Sequence, residues 1–127
     1  MDKVKEFGQK DAFARRCGVE ILEIGEGTVK GRLQLKQEHF NGVGIVHGAA
    51  IFTLADTVFA AAANSHGHVA VAVNINISYL KPTEGGVLYA QAVENNARGR
   101  IGSYTITVTD QTGATTALFE GLAYRKF

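Results

Sequence analysis

Residues 48–66 read GAAIFTLADTVFAAAANSH, and residues 69–79 read VAVAVNINISY. The first stretch has no proline, is rich in alanine and other strong helix formers, and meets Gly67 just past its end. It reads as one long helix over about 48–66. In the second, Val69, Val71, Val73, Ile75, Ile77 and Tyr79 alternate with Ala70, Ala72, Asn74, Asn76 and Ser78, the two-residue period of a strand, which Lys81-Pro82 ends. Further runs follow at Val87–Glu94, Ile101–Asp110 and Thr115–Arg125, the first past Glu84-Gly85-Gly86 and the last past Gln111-Thr112-Gly113. Upstream, Val19–Ile24 and Thr28–Leu35 flank Gly25-Glu26-Gly27 and read as a hairpin. Apolar residues at near-helical spacing from Lys3 to Arg16 (Val4, Phe7, Phe13, Ala14) predict a short amphipathic helix laid over the body. The expected fold is α+β: a six-stranded antiparallel sheet wrapped around one long central helix, plus an N-terminal helix at about 3–16. One such layer pair buries the apolar face of each partner.

Composition bounds the function. At 127 residues and 46% hydrophobic the chain suits one domain over 1–127 with one core. Thirteen Lys and Arg nearly balance twelve Asp and Glu, so no positive field exists to hold a polyanion, and nucleic acid is not expected as a partner. The lone Cys17 has no internal disulfide partner, and the opening MDKVKEFGQK lacks the apolar core of a signal peptide, which makes the cytoplasm the expected location. The longest apolar stretch, Gly48–Ala63, is interrupted by Asp56 and is shorter than the roughly 20 residues that cross a bilayer, so no membrane segment is expected.

Asp56 is the anomaly, a charge in the middle of the most apolar helix. At about 100° per residue its face carries Phe52, Phe59, Ala60 and Ala63. An ionised carboxylate on that stripe carries a desolvation cost and needs partners, or it titrates to neutral. The alternative is a wet edge shared with Thr53 and Thr57, on which the acid is merely solvated. Just before the helix stands Asn41-Gly-Val-Gly-Ile-Val-His47-Gly48-Ala49. A glycine at a helix start leaves backbone N–H groups unshielded near the positive end of the dipole, where an oxygen anion can be held. Asp56 lies eight residues further, roughly 12 Å along the axis. Both groups can meet one carbonyl only if they come from different subunits.

The stretch Asn41-Gly-x-Gly-x-x-His47-Gly48-x-x-x-Phe52-x-Leu54-Ala55-Asp56-x-x-Phe59-Ala60-x-Ala62-x-Asn64-Ser65 closely resembles the PaaI-like branch of the hot-dog thioesterases. The resemblance extends through Tyr79-Leu80-Lys81-Pro82-Thr83-x-Gly85 to Phe119-Glu-Gly-Leu-Ala-Tyr124-Arg125. It implies the hot-dog fold, hydrolysis of acyl-CoA thioesters with aryl (phenylacetyl-type) or medium-chain acyl groups, and a homodimer with active sites at the subunit interface, commonly paired into a homotetramer. It matches Asp56 to the catalytic carboxylate, Gly48 to the oxyanion donor, and His47 with Asn41 to the groups that orient loop and thioester. No cofactor is implied, coenzyme A being part of the substrate. Two departures stand out. The family usually has His-Gly-Gly where this chain has His47-Gly48-Ala49, and some relatives carry a hydroxyl facing the acid where this chain has Ala72, which leaves Asn74, Asn64 or the carboxylate itself to position water.

Phe52 and Phe59 are expected to line the acyl site with Asn64 beside them, and Lys81, Arg98 and Arg100 are candidates for the coenzyme A phosphates. Arg125 and Lys126 share that chemistry or are solvated strand ends. His66 and His68 flank a glycine with no third ligand near in sequence, and read as solvated histidines rather than a metal pair. Cys17 has no visible base to make it a nucleophile. The alternatives to hydrolysis are a hot-dog dehydratase acting on 3-hydroxyacyl thioesters through His47 and Asp56, and a non-catalytic acyl-CoA-binding module.

Overall fold

The computed structural model describes residues 3–126. Helix α1 (Lys3–Lys10) and helix α2 (Ala12–Cys17) lead into strands β1 (Val19–Gly25) and β2 (Thr28–Gln34), a short 3-10 turn at Gln37–His39, and the long helix α3 (Gly48–Ala63). Strands β3 (Val69–Tyr79), β4 (Val87–Asn96), β5 (Ile101–Thr109) and β6 (Thr115–Lys126) complete the chain. All six strands form one antiparallel sheet in the order β1-β2-β4-β5-β6-β3, with α3 packed on one face. This is the expected hot-dog arrangement.

The expected single N-terminal helix over 3–16 is two helices. Asp11 leaves helical geometry (φ −92°, ψ 85°) and its carboxylate accepts the N–H of Ala14, so it starts a second helix rather than continuing the first. The central helix also stops three residues short of the expected His66. The side chain of Asn64 donates to the carbonyls of Ala60 and Ala70 and accepts the N–H of Ala70, which caps α3 and fastens it to the start of β3.

The helix lies close to the sheet because two strand positions carry no side chain. A Cβ on Gly31 of β2 would stand 2.7 Å from Val58, and one on Gly121 of β6 would stand 2.6 Å from the Phe59 ring. Around these contacts Leu54, Ala55, Val58, Leu88, Ile106, Val108 and Phe119 are buried in one continuous core.

Strand β3 does not keep one face throughout. Its pairing to β6 slips between Ala72 and Asn74, leaving Val73 as a bulge. Before the bulge Ala70 and Ala72 stand opposite Arg125 and Ala123; after it Ile75 and Ile77 stand opposite Gly121 and Phe119 on the helix side. The alternating valines therefore point away from the helix, and Val69 is 60% exposed. As the last strand in the sheet order, β3 also has an outer edge with no strand beside it among the described residues.

Candidate functional site

The segment between β2 and α3 is shaped by its own side chains. Asn41 Oδ1 accepts the N–H groups of Val43 and Ile45, while Phe40 and Val46 bridge across the base of the loop. His39 is buried beneath it: Nδ1 accepts the N–H of Lys36, so Nε2 carries the proton and donates to the Cys17 carbonyl at 2.7 Å. His47 donates its backbone N–H to the His39 carbonyl and then caps α3, its Nδ1 accepting the N–H of Ala49. Among the described residues the N–H of Gly48, the first helical residue, has no acceptor. It is one of the orphan donors at a helix start.

Asp56 is half-buried two turns along α3. Burial pushes its carboxyl above the ordinary 3.8, and the nearby charge of Asp11 adds to the effect. No described side chain hydrogen-bonds to it; Thr53 and Thr57 both turn their hydroxyls back to helix carbonyls, Ala49 and Thr53 respectively. Thr57 is itself buried, so the helix has no simple wet edge here. The acid is held dry enough to be basic once ionised, with no fixed partner of its own.

The expected binding residues divide. Phe52 is half-buried, its ring tilted on Phe119 with centroids 5.6 Å apart. Phe59 is a correction: at 2% exposure it packs on Tyr104, Phe119 and Gly121 in the core, because its position on α3 faces the sheet. Asn64 is half-buried and lines a cavity between α1 and α3, both of its amide protons being used between α3 and β3. Lys81 pairs with Asp110 at 3.0 Å in the loops at one end of β5. Asp110 is held well below the ordinary carboxylate range by the Thr112 hydroxyl first and Lys81 second. Arg98 and Arg100 lie in the turn at the other end of β5, nine residues away along the strand, about 30 Å at 3.4 Å per residue. A single chain therefore does not bring Lys81 and these arginines to one phosphate.

His66 is not a free ligand either. Its Nε2 donates to Glu94, which also accepts the Tyr104 hydroxyl at 2.6 Å and faces the Arg125 guanidinium at 3.5 Å. Arg125, 3% exposed, donates to the carbonyls of Gly99 and Asn96 as well. No group of three described His, Cys, Asp or Glu side chains is arranged to hold a metal ion. Burial, with the charge of Glu38, pushes the Cys17 thiol up, against the thiolate a nucleophile needs.

Tyr79, read from the sequence only as a strand residue, stands against the start of α3. It ends β3 with its hydroxyl donating to the Gly48 carbonyl at 3.1 Å, and a Cβ on Gly48 would meet its ring at 3.3 Å. The signal available was its place at the end of the strand that follows α3.

A family model described as thioesterase superfamily matches residues 43–117, which carry Gly48, Asp56 and Tyr79 together. The chain belongs to the thioesterase superfamily. Within it, the acyl-coenzyme A thioesterase PaaI of Escherichia coli K12 is 36% identical over 118 residues, spanning 92% of this chain and 84% of the relative. The solved structure of E. coli PaaI, from the phenylacetic acid degradation operon, superposes with a TM-score of 0.93 at 33% identity, covering 98% of this chain and 91% of that one. A substituted form of the phenylacetic acid degradation protein PaaI from Thermus thermophilus gives 0.87 at 32% identity over 91% of this chain and 100% of that one. A half-buried carboxylate and an unshielded helix-start N–H are groups of the two kinds that acyl transfer uses, a base or nucleophile and an oxyanion donor.

Proposed function

We propose that this thioesterase hydrolyses acyl-CoA thioesters to the free acid and coenzyme A, as a cytoplasmic homodimer that pairs into a homotetramer. The observation that carries the reading is the separation on α3 of a desolvated Asp56 from the N–H of Gly48, neither of which has a hydrogen-bond partner among the described residues. Eight residues keep them roughly 12 Å apart along the axis, too far to act on one carbonyl. A second copy supplies the missing half of each site. The long outer edge of β3 offers where it would join, since exposed edge strands of this kind are usually paired or covered.

Asp56, ionised, either attacks the thioester carbonyl to give a mixed anhydride that water then cleaves, or takes a proton from an attacking water. On both routes the C–S bond breaks, the sulfur leaves as the coenzyme A thiol after protonation, and the partner's Gly48 N–H stabilises the oxygen that gathers charge. His47 caps the helix so that this N–H is presented at its end, and Asn41 fixes the loop that delivers it. Coenzyme A enters as part of the substrate and leaves as a product, and the proposed chemistry calls on no cofactor.

Subunit mixing is the test. Oligomers reconstituted from an Asp56→Ala chain and a Gly48→Pro chain should recover part of the activity, because a mixed dimer keeps one site with both groups. No recovery despite verified exchange of subunits would place each site within one chain. A free-thiol assay on saturated acyl-CoAs separates hydrolysis from dehydration, which releases no thiol.

A further inference from the structure

His39 is a buried imidazole that the chemistry proposed above does not use. It is 5% exposed and ends the 3-10 turn that precedes the loop. Both ring nitrogens are engaged: Nδ1 accepts the Lys36 N–H at 2.9 Å, and Nε2 donates to the Cys17 carbonyl at 2.7 Å, 22 residues back in the chain. With neither nitrogen open to a substrate, the ring is placed to hold structure rather than to move a proton. Cys17 is the last residue of α2, so its carbonyl is one of those a helix end leaves without an intrahelical donor. The imidazole N–H closes that end, and α2 in turn packs against α3 with Ala14 buried.

The same residue forms the base of the loop. The His39 carbonyl accepts the His47 N–H at 2.7 Å, Phe40 pairs with Val46, and the Asn41 N–H donates to the Ile45 carbonyl at 2.9 Å. Residues 39–47 are thus a closed loop whose shape Asn41 holds from within, but these internal bonds do not decide how the loop stands against the rest of the fold. That is set from outside, by the His39 ring on α2 and by the Val46 N–H on the Thr83 carbonyl at 2.8 Å. Turning the base of the loop turns the peptide between His47 and Gly48, and with it the N–H at the start of α3. A misplacement of about 1 Å at such a group is enough to cost about 100-fold in rate.

We propose that His39 is a positioning residue of the thioesterase site: its Nε2–H, seated on the end of α2, sets the angle at which the peptide between His47 and Gly48 presents its N–H to the thioester oxygen. The proposal rests on the assignment of Gly48 as the oxyanion donor. Asn41 shapes the loop and His47 caps the helix, while His39 fixes where both stand.

The experiment measures kcat and KM by thiol release from whichever of acetyl-, octanoyl- and phenylacetyl-CoA the parent cleaves fastest, in chains checked for an unchanged oligomer. Asparagine sets its amide where Nδ1 stands and glutamine where Nε2 stands, so the two ring bonds can be removed one at a time. His39→Gln, which keeps a donor for the Cys17 carbonyl, should hold kcat within about threefold of the parent, whereas His39→Asn should lower it by about tenfold or more with KM little changed. Because the effect runs through the Gly48 N–H, His39→Asn should cost nothing further in a Gly48→Pro chain. A His39→Ala chain tests the same point by a second route: imidazole in the buffer should restore kcat, and neutral 1-methylimidazole, which has no N–H, should not. A parent that releases no thiol, or a Gly48→Pro chain with the parent's kcat, would overturn the reading of the site itself. With that reading intact, a parental kcat in His39→Asn, an equal further loss in the Gly48→Pro background, or equal rescue by the two imidazoles would overturn the positioning role alone.

Discussion

Tyr79 and Gly48 connect the end of the edge strand to the start of the central helix, through a hydroxyl-to-carbonyl hydrogen bond of 3.1 Å. Burial pushes the Tyr79 phenol above its ordinary value, so the hydroxyl keeps its proton and donates at neutral pH. Because the bond fixes the first turn of α3, it also fixes the direction of the Gly48 N–H. Tyr79→Phe should therefore lower kcat several-fold while KM for acyl-CoA changes little, the pattern of a loss felt in the transition state. Stability should fall by no more than about 0.5–1.5 kcal/mol, the net worth of one hydrogen bond. Steady-state kinetics beside a urea titration check both, and an unchanged kcat would leave Tyr79 a purely structural tie.

Gly48 itself allows a cleaner substitution than most glycines. His47 already has extended geometry (φ −63°, ψ 136°), which the residue before a proline requires, and Gly48 is the first helical position, where proline is tolerated. Gly48→Pro should fold and delete the N–H, lowering kcat by about 10²–10³-fold, as when an oxyanion donor is removed. Gly48→Ala adds the same Cβ, 3.3 Å from the Tyr79 ring, but keeps the N–H. If the two variants lose activity equally, crowding against Tyr79 and not the donor is responsible.

Helix α3 was legible in its proline-free, alanine-rich run, and the hairpin and the later strands in their alternation and the turn residues between them. What escaped the pattern was decided by single side chains or by a slip in register. Asp11 broke the N-terminal helix through its own carboxylate, and the Val73 bulge turned the β3 valines outward although their alternation never falters. The site was half legible. Asp56 stood out as a charge on an apolar helix, but Phe59 on the same predicted stripe belongs to the core, since a helical wheel does not say where the sheet begins. Glu94 and Arg125 could have been found by strand parity, each continuing an inward series, Leu88-Ala90-Ala92 and Phe119-Gly121-Ala123.

That buried group has a measurable role in stability. Glu94 accepts from Tyr104 and His66 and is the carboxylate facing Arg125, so Glu94→Ala leaves a buried guanidinium without a counter-charge. Breaking such a pair costs about 3–5 kcal/mol. The urea midpoint should drop accordingly, and Glu94→Gln, which keeps an acceptor for Tyr104, should lose less. Activity per folded enzyme should hold in both; its collapse at full stability would assign Glu94 a part in the chemistry.

Salt should separate the two ends of the substrate. Phosphates held by exposed cations are attracted through screened charge, while an acyl group is held by apolar contact. KM for acyl-CoA should rise with ionic strength, and KM for a pantetheine thioester of the same acid should rise less. Lys81 is already paired with Asp110, whereas the Arg98 guanidinium has no partner among the described residues, so Arg98→Glu should reproduce the salt effect more fully than Lys81→Glu. Equal salt dependence for both substrates would make these cations merely solvated.

The pH dependence of Asp56 joins activity to stability with opposite signs. Its carboxyl is pushed above 3.8 by burial and then by Asp11, so between 3.8 and the raised value the folded chain binds more protons than the unfolded chain. Stability contributed by this group is therefore full below 3.8, falls as pH rises through that window, and stays lowered above it. Activity runs the other way, because only the ionised carboxylate can attack or take a proton, and kcat/KM should rise with pH through the same raised value. Asp56→Asn removes both effects. It should lower turnover by at least about 100-fold, the scale of a lost base or nucleophile. At pH 7 its urea midpoint, at matched protein concentration, should equal or exceed that of the parent, with the advantage shrinking toward pH 4. A midpoint difference that is the same at both pH values would mean that Asp56 is not desolvated, and near-normal turnover of the folded Asn variant would move the reacting group elsewhere.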